Sequence, residues 1–382
     1  MYINTEKRIP IKAWTDLDEG TLNQALNLAS LPFAFRHIAI MPDTHLGYGM
    51  PIGGVLATEG VVIPNAVGVD IGCGMSAWDT GLSVEEFMPH REAILNQIQR
   101  SIPTGFNRHQ TPRDIPEMPE VAFVQAQEDI ARKSIGTLGG GNHFIEIQKD
   151  HLGFVWVMLH SGSRNVGKTV CDHYNKIARD LNTRWHSQVP DAWQLAFLPI
   201  DGTEGQEYLT AMRYGLEYAK ANRRAMRREI EAAFADIMGH TPYLLDADFD
   251  IHHNYAAMEH HFGRNVMVHR KGAVKAIGQV IIPGSMGSVS YIAEGKSNPE
   301  SFNSCSHGAG RALGRKEAQR QISVESVIEE MRKADIALFK AKKGDVAEES
   351  RAAYKDIEDV MARQADLVRP IHRLTPLGVV KG

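Results

Sequence analysis

Cysteine is almost missing from this chain: Cys73, Cys171 and Cys305 are the only three in 382 residues. Three scattered thiols cannot build a disulfide framework. A reducing cytoplasm is the natural setting, and there a cysteine inside a motif binds metal or does chemistry. Long apolar runs are absent as well. Nothing approaches the roughly 18 consecutive apolar residues of a membrane span, and the opening MYINTEKRIP has no apolar signal core. There is no excess of positive charge either. Lys and Arg number 42 against 46 Asp and Glu, a formal net charge of −4, so a polyanion would have to meet a local patch. Internal repeats and low-complexity tracts are also lacking.

Glycine, by contrast, is placed with purpose. VGVDIGCGM, Val67 to Met75, holds Asp70 and Cys73 three residues apart among three glycines. Glycine lets the backbone turn sharply or approach a bound group closely. The pair is either half of a metal site or a buried turn with Cys73 as a small hydrophobe. About twenty residues earlier, PDTHLGYGMPIGG carries Asp43 and His45. Further on, three glycines precede Asn142 and His143, and HFIEIQ then alternates like a strand. This loop could turn backbone N–H groups toward an anion. It is not a nucleotide-binding P-loop, which needs Lys-Ser/Thr and a following helix. The apolar strand GFVWVMLH ends on His160, and Ser161, Ser163 and Arg164 after it are phosphate-friendly groups.

The segments between these loops read as packed elements. Helices are predicted at TLNQALNLASL, over 83–100, at VAFVQAQEDIARKS, over 205–238, and over 323–343 and 345–367. The prolines at 103, 112, 116 and 119 mark 101–119 as a loop or insertion. On the long helix, Arg223, Arg224, Arg227 and Arg228 share one face, which is either a solvated surface or a contact with a nucleic-acid backbone. His252, His253, His260 and His261 follow, seven or eight apart as on a helical face, at a density that packing alone does not explain. His307 sits in the small-residue loop SHGAGR, ahead of a basic helix. With no linker between the polar motifs, the expectation is an α+β fold: one domain over 1–382, central β-sheets flanked by helices, and an active site built from loops at strand ends.

Asp70, Cys73, His143, His160 and one histidine near 253 then make a metal shell assembled from separate loops. Ligand softness favours zinc for such a mixed set, and manganese for oxygen and imidazole. His307 is left free for another task.

Taken in order, MPDTHLGYGMPIGG, VGVDIGCGM, GGGNHFIEI, LHSGSR, HHNYA, PGSMGSVSY, SHGAGR and VVKG resemble the RtcB family of RNA ligases, from about residue 40 onward. The resemblance implies joining of an RNA 3′-phosphate or 2′,3′-cyclic phosphate end to a 5′-hydroxyl end, with GTP as co-substrate and two manganese ions. It places Asp70, Cys73 and His143 on one ion, and His160 and His253 on the second, with Cys73 bridging. His307 matches the guanylylated histidine and Asp43 the carboxylate that contacts it. Asn142, Glu146, Ser285, Ser290, Gly308, Ala309, Gly310 and Lys381 fall around the guanylate. The RNA to be joined and an accessory activating protein stay open. A binuclear metallophosphoesterase would use the same ligands without a covalent role for His307, and a catalytically silent RNA-binding protein would use none of them.

Overall fold

The computed structural model describes residues 2–239, 249–340 and 346–382. Two mixed sheets carry the architecture. The six-stranded sheet runs Tyr2–Asn4, Ile11–Ala13, Ala34–His45, Ile52–Thr58, Arg264–Lys271 and Asn254–His261 in spatial order. The larger sheet runs Asp250–His252, Gly74–Ser83, Phe154–Ser161, Phe144–Lys149, Val368–Lys381, Ser290–Lys296 and Ile277–Ile282, and Ala337–Lys340 adds parallel to Val368–Lys381. Helices cover the sheets, in keeping with an α+β fold. No described helix is long and apolar enough to cross a membrane.

Register in the larger sheet is what positions the site. Gly74 pairs with both Ser161 and His252, Met75 and Phe144 pair with His160, and Lys381 pairs with Phe144. Cys73, His143, His160, His253 and Lys381 therefore all arrive at one end of one sheet, each on or next to a paired strand terminus. Antiparallel neighbours lie only about 4.5–5.5 Å apart, so residues remote in sequence meet there.

The helix Glu19–Ser30 forms as its signals dictate. Asp18 caps it by accepting from the Thr21 N–H, and Ala25, Leu28 and Ala29 turn inward. The 36-residue helix Thr203–Met238 ends at Gly239 in the left-handed conformation. It packs directly behind the Asp70–Cys73 loop: a Cβ on Gly72 would lie 2.8 Å from the Gly215 carbonyl oxygen. Only glycine permits that approach.

Several predicted elements need correction. The segment expected to be helical over 323–343 is a helix only at Val324–Lys333, followed by the strand Ala337–Lys340. The one expected over 345–367 is two 3-10 turns and a short helix, Ile357–Arg363. Parts of both predicted spans, 341–345, lie outside the described residues. The predicted helix at VAFVQAQEDIARKS divides into Ala122–Gln125 and Glu128–Ser134. The four histidines lie on or beside strands, not on a helix, so spacing by seven or eight has no meaning for them. Packing accounts for two: His260 meets Asn265, while His261 bonds Glu259 and stacks edge-on against Phe302.

The arginine face is also corrected. Arg224 and Arg228 are exposed, but Arg223 is wholly buried and Arg227 is covered by Trp78 and Glu231. Half of the predicted basic surface is scaffold.

Candidate active site and metal centre

A cleft of about 1050 Å³ opens where the two sheets meet, lined among others by Asp70, Cys73, Asn142, Glu146, His160, His253, Ser285, His307, Gly308, Ala309, Gly310 and Lys381. His143 and Asp43 stand just behind it, each touching a residue of the lining. Ser290 lies one layer deeper, its hydroxyl accepting from Gly284 N–H and Gln148 Nε2 at 3.1 Å each.

At the floor, Cys73 is shared by two groups of donors. Asp70, Cys73 and His143 form one; Cys73, His160 and His253 form the other. Cys73 Sγ lies 3.5 Å from His143 Nε2 and 3.2 Å from His160 Nε2, and His143 Nε2 lies 3.4 Å from Asp70 Oδ2. The ring nitrogens on the other side are already spent: His143 Nδ1 donates to the Leu138 carbonyl at 2.9 Å and His160 Nδ1 to the Asn142 carbonyl at 3.1 Å. That fixes the tautomers and leaves both Nε2 lone pairs aimed at one sulfur, which has at most one proton to share.

His253 adds a buried Nδ1 with no hydrogen-bond partner among the described residues. Burial, then the neighbouring His143 for His160 and His307 for His253, holds both imidazoles well below their ordinary range, so they are neutral. Burial, then the adjacent Asp70 carboxylate, pushes the Cys73 thiol well up. Neutral imidazoles, a carboxylate and a thiol with too few protons between them are what a divalent cation completes. The residues fit a metal pair.

His307 projects from the loop after the strand Ser304–Ser306, whose Ser306 pairs with Ala273 beside Gly272 and His253. Its ring stands 4.9 Å from the His253 ring. His307 Nδ1 donates to Asp43 Oδ2 at 2.6 Å, and the backbone N–H groups of His307 and Gly308 donate to the same oxygen at 3.0 and 3.3 Å. In a neutral ring, a proton on Nδ1 leaves the lone pair on Nε2. The fit depends on Gly310, whose φ of +75° is left-handed and whose side chain would run into the Asp43 carbonyl.

The chain matches the family model described as tRNA-splicing ligase RtcB over residues 24–126 and 115–382. This chain belongs to the RtcB family. It is 39% identical over 408 residues to an RNA-splicing ligase RtcB of Escherichia coli strain K12, covering 99% of this chain and 98% of that protein. It is 36% identical over 437 residues to the RNA-splicing ligase RtcB of Mycobacterium tuberculosis, covering 94% and 100%. It is 32% identical over 458 residues to the tRNA-splicing ligase RtcB of Methanococcus maripaludis, covering 98% and 95%. The family is one of RNA ligases.

Two cleft residues of this RtcB-family chain, Glu349 and Lys355, escaped the sequence reading. Glu349, buried, accepts from Lys381 Nζ at 3.1 Å, Arg311 Nη2 at 2.5 Å and Tyr354 Oη at 2.9 Å. Burial opposes its charge, and Lys381 and Arg311 overcome it to hold the carboxyl low. Lys355 donates to the Pro42 and Thr44 carbonyls at 3.1 and 2.5 Å, bracing the strand that holds Asp43. No local motif marks either residue. Ser161 and Ser163, read as phosphate-friendly, instead bond the Leu138 and Ile71 carbonyls at 2.8 and 2.6 Å and lash the loops of His143 and Asp70 to the one that follows His160.

Proposed function

We propose that this chain is a GTP- and manganese-dependent RNA ligase that joins an RNA 3′-phosphate or 2′,3′-cyclic phosphate end to a 5′-hydroxyl end. In this reading it acts in the cytoplasm as one integrated domain. The observation that carries the reading is His307, its Nδ1–H locked onto Asp43 beside two ligand groups that share Cys73. A phosphoesterase needs the metal groups but has no use for a histidine tautomer set in this way.

His307 Nε2 attacks the α-phosphorus of GTP; a P–N bond forms and the bond to pyrophosphate breaks. Asp43 keeps the proton on Nδ1 and stabilises the positive charge that develops on the ring. Asp70, Cys73 and His143 would hold one manganese ion and Cys73, His160 and His253 the other; when bound, the ions neutralise charge on the phosphate oxygens. Asn142, Ser285 and the N–H groups of Gly308, Ala309 and Gly310 orient the guanylate, Ser290 supports Gly284 from behind, and Glu146 and Lys381 meet the base. Burial pushes the Glu146 carboxyl up to about 8, against the Gln148 amide and Lys381, so it is protonated at neutral pH and able to donate.

A cyclic phosphate end is first opened by water to a 3′-phosphate. An oxygen of that phosphate then displaces His307, breaking the P–N bond and placing GMP on the RNA end. The 5′-hydroxyl attacks the RNA phosphorus, GMP leaves, and a phosphodiester remains.

Incubation with α-labelled GTP and Mn²⁺ tests the reading. Wild type acquires acid-labile, alkali-stable label and His307→Ala acquires none. An unlabelled wild type overturns the ligase mechanism, and a labelled His307→Ala overturns the nucleophile. Ligation of defined RNA ends, with the 3′ terminus varied among cyclic phosphate, phosphate and hydroxyl, tests the end chemistry; joining of a 3′-hydroxyl end would contradict it.

A further inference from the structure

The strands Phe144–Lys149 and Phe154–Ser161 begin and end at the metal cleft, but the turn joining them lies at the opposite end of the sheet, roughly 20 Å away at about 3.3 Å per residue. A second convergence of metal-ligating side chains sits there. Donor atoms of Asp150, His151 and His372 all lie within 4.8 Å of one another. We propose that these three residues form a separate site for one late first-row divalent cation of the Zn²⁺ class. The inference does not depend on the ligase mechanism.

Three observations carry it. Asp150 is prepared: the Leu152 and Phe154 N–H groups both donate to Oδ1 at 2.9 Å, while Oδ2, which takes only a long 3.4 Å bond from Trp156 Nε1, faces the cluster. His372 Nδ1 is enclosed and has no hydrogen-bond partner among the described residues, although it stands 3.3 Å from Asp150 Oδ2. That distance matches the separation of two donors each about 2.0–2.1 Å from a tetrahedral ion, which is about 3.3–3.4 Å. Finally, the site is anionic. Asp79 stands beside Asp150 and His372 and brings a second carboxyl group to the site. Two imidazoles and a carboxylate suit Zn²⁺, Ni²⁺ or Cu²⁺ better than Mg²⁺ or Ca²⁺. An ion there would clasp the turn to the strand Val368–Lys381, whose other end carries Lys381.

The test counts Zn²⁺ bound per chain by equilibrium dialysis of the full-length protein and follows tryptophan emission during Ni²⁺ titration. Trp156 is the reporter, with its ring 4.9 Å from the His372 ring. His151 is exposed, so His151→Ala removes a ligand without disturbing the core. His151→Ala and His372→Ala should each bind one Zn²⁺ fewer than wild type, or bind it at least about tenfold more weakly, and lose the Ni²⁺ quenching phase. Cys73→Ala, which disrupts only the cleft centre, should keep both the distal ion and the quenching. An unchanged Zn²⁺ count and quench in His151→Ala overturns the site and leaves an ordinary His–Asp pair. Loss of the quenching phase in Cys73→Ala would also overturn it, because the signal would then come from the cleft.

Discussion

On one side of the cleft, Cys73 faces two bare imidazole nitrogens at 3.5 and 3.2 Å; on the other, every short contact of Asp43 Oδ2 has a proton in it. Behind each side stands a wholly buried arginine. Arg223 binds Asp250 through Nε and Nη2 at 2.6 and 2.7 Å and donates from Nη1 to the Gly72 and Ser161 carbonyls, so one guanidinium ties together the loops of Cys73, His160 and His253. Arg270 binds Glu259 and donates to Ser304 Oγ and the Phe302 carbonyl, steadying the segment that leads to His307. The scaffolds are alike, yet on one side the contacts of Asp43 Oδ2 are complete, with Oδ1 buried and unpartnered among the described residues, and the other side lacks positive charge at its centre. His307 is thus oriented by protein groups alone, whereas the thiol–imidazole side is a set of donors that a cation would complete.

Breaking the incomplete side should have the largest effect. Cys73→Ala removes the donor common to both groups, so GMP-adduct formation should fall to background and Mn²⁺ binding should fall with it, while the circular dichroism spectrum is retained. Normal adduct formation in this variant would falsify the shared-thiol centre. Asp43→Asn strikes the complete side. It should slow guanylylation by about 10²–10⁴-fold through the wrong tautomer, with Mn²⁺ stoichiometry unchanged. A parallel loss of Mn²⁺ would mean that the two sides are not separable.

The two sides were not equally legible in the sequence. Asp70, Cys73, His143 and His160 announce themselves because each abuts a strand terminus in a glycine-rich loop, and the larger sheet's register then brings them together. Arg223 was misread for a physical reason. Spacing by four reports which side chains share a helix face, and it does not report whether that face meets water or the Gly72 loop. Glu349 and Lys355 were invisible since the 3-10 turn of the first and the irregular backbone of the second leave no periodic pattern, and their partners, Lys381 and the Pro42 carbonyl, are far away in sequence. Density misled for His260 and His261, since strand pairing puts His260 outside and His261 against Phe302, while His253 does join Cys73 and His160.

Arg223→Met sharpens the comparison between the scaffolds. It leaves Asp250 buried without its partner, and breaking a buried pair costs ~3–5 kcal/mol. Chemical denaturation should show a loss of that order, with weaker Mn²⁺ binding and an unaltered His307–Asp43 pairing, the last read from the His307 imidazole resonances. A loss below about 1 kcal/mol would show that Arg223 behaves like the exposed Arg179–Asp191 pair, which has equally short contacts of 2.8 Å but faces water.

The smallest effect expected is on acid stability, and it concerns the other arginine. Burial opposes ionisation of Glu259, but hydrogen bonds and charge from Arg270, with His261 and Lys275, hold its carboxyl at about 2. The folded value lies below the unfolded one of about 4.3. The ion pair therefore contributes fully above that unfolded value, and its contribution is lost as pH falls from there through about 2. Within that window one extra proton is bound on unfolding, a slope of about 1.4 kcal/mol per pH unit from this group. Glu259→Gln should be less stable than wild type at neutral pH, yet lose less on acidification between pH 4.3 and 2, narrowing the gap. Parallel denaturation curves for the two proteins across that window would exclude Glu259 as the acid-sensitive group on the His307 side.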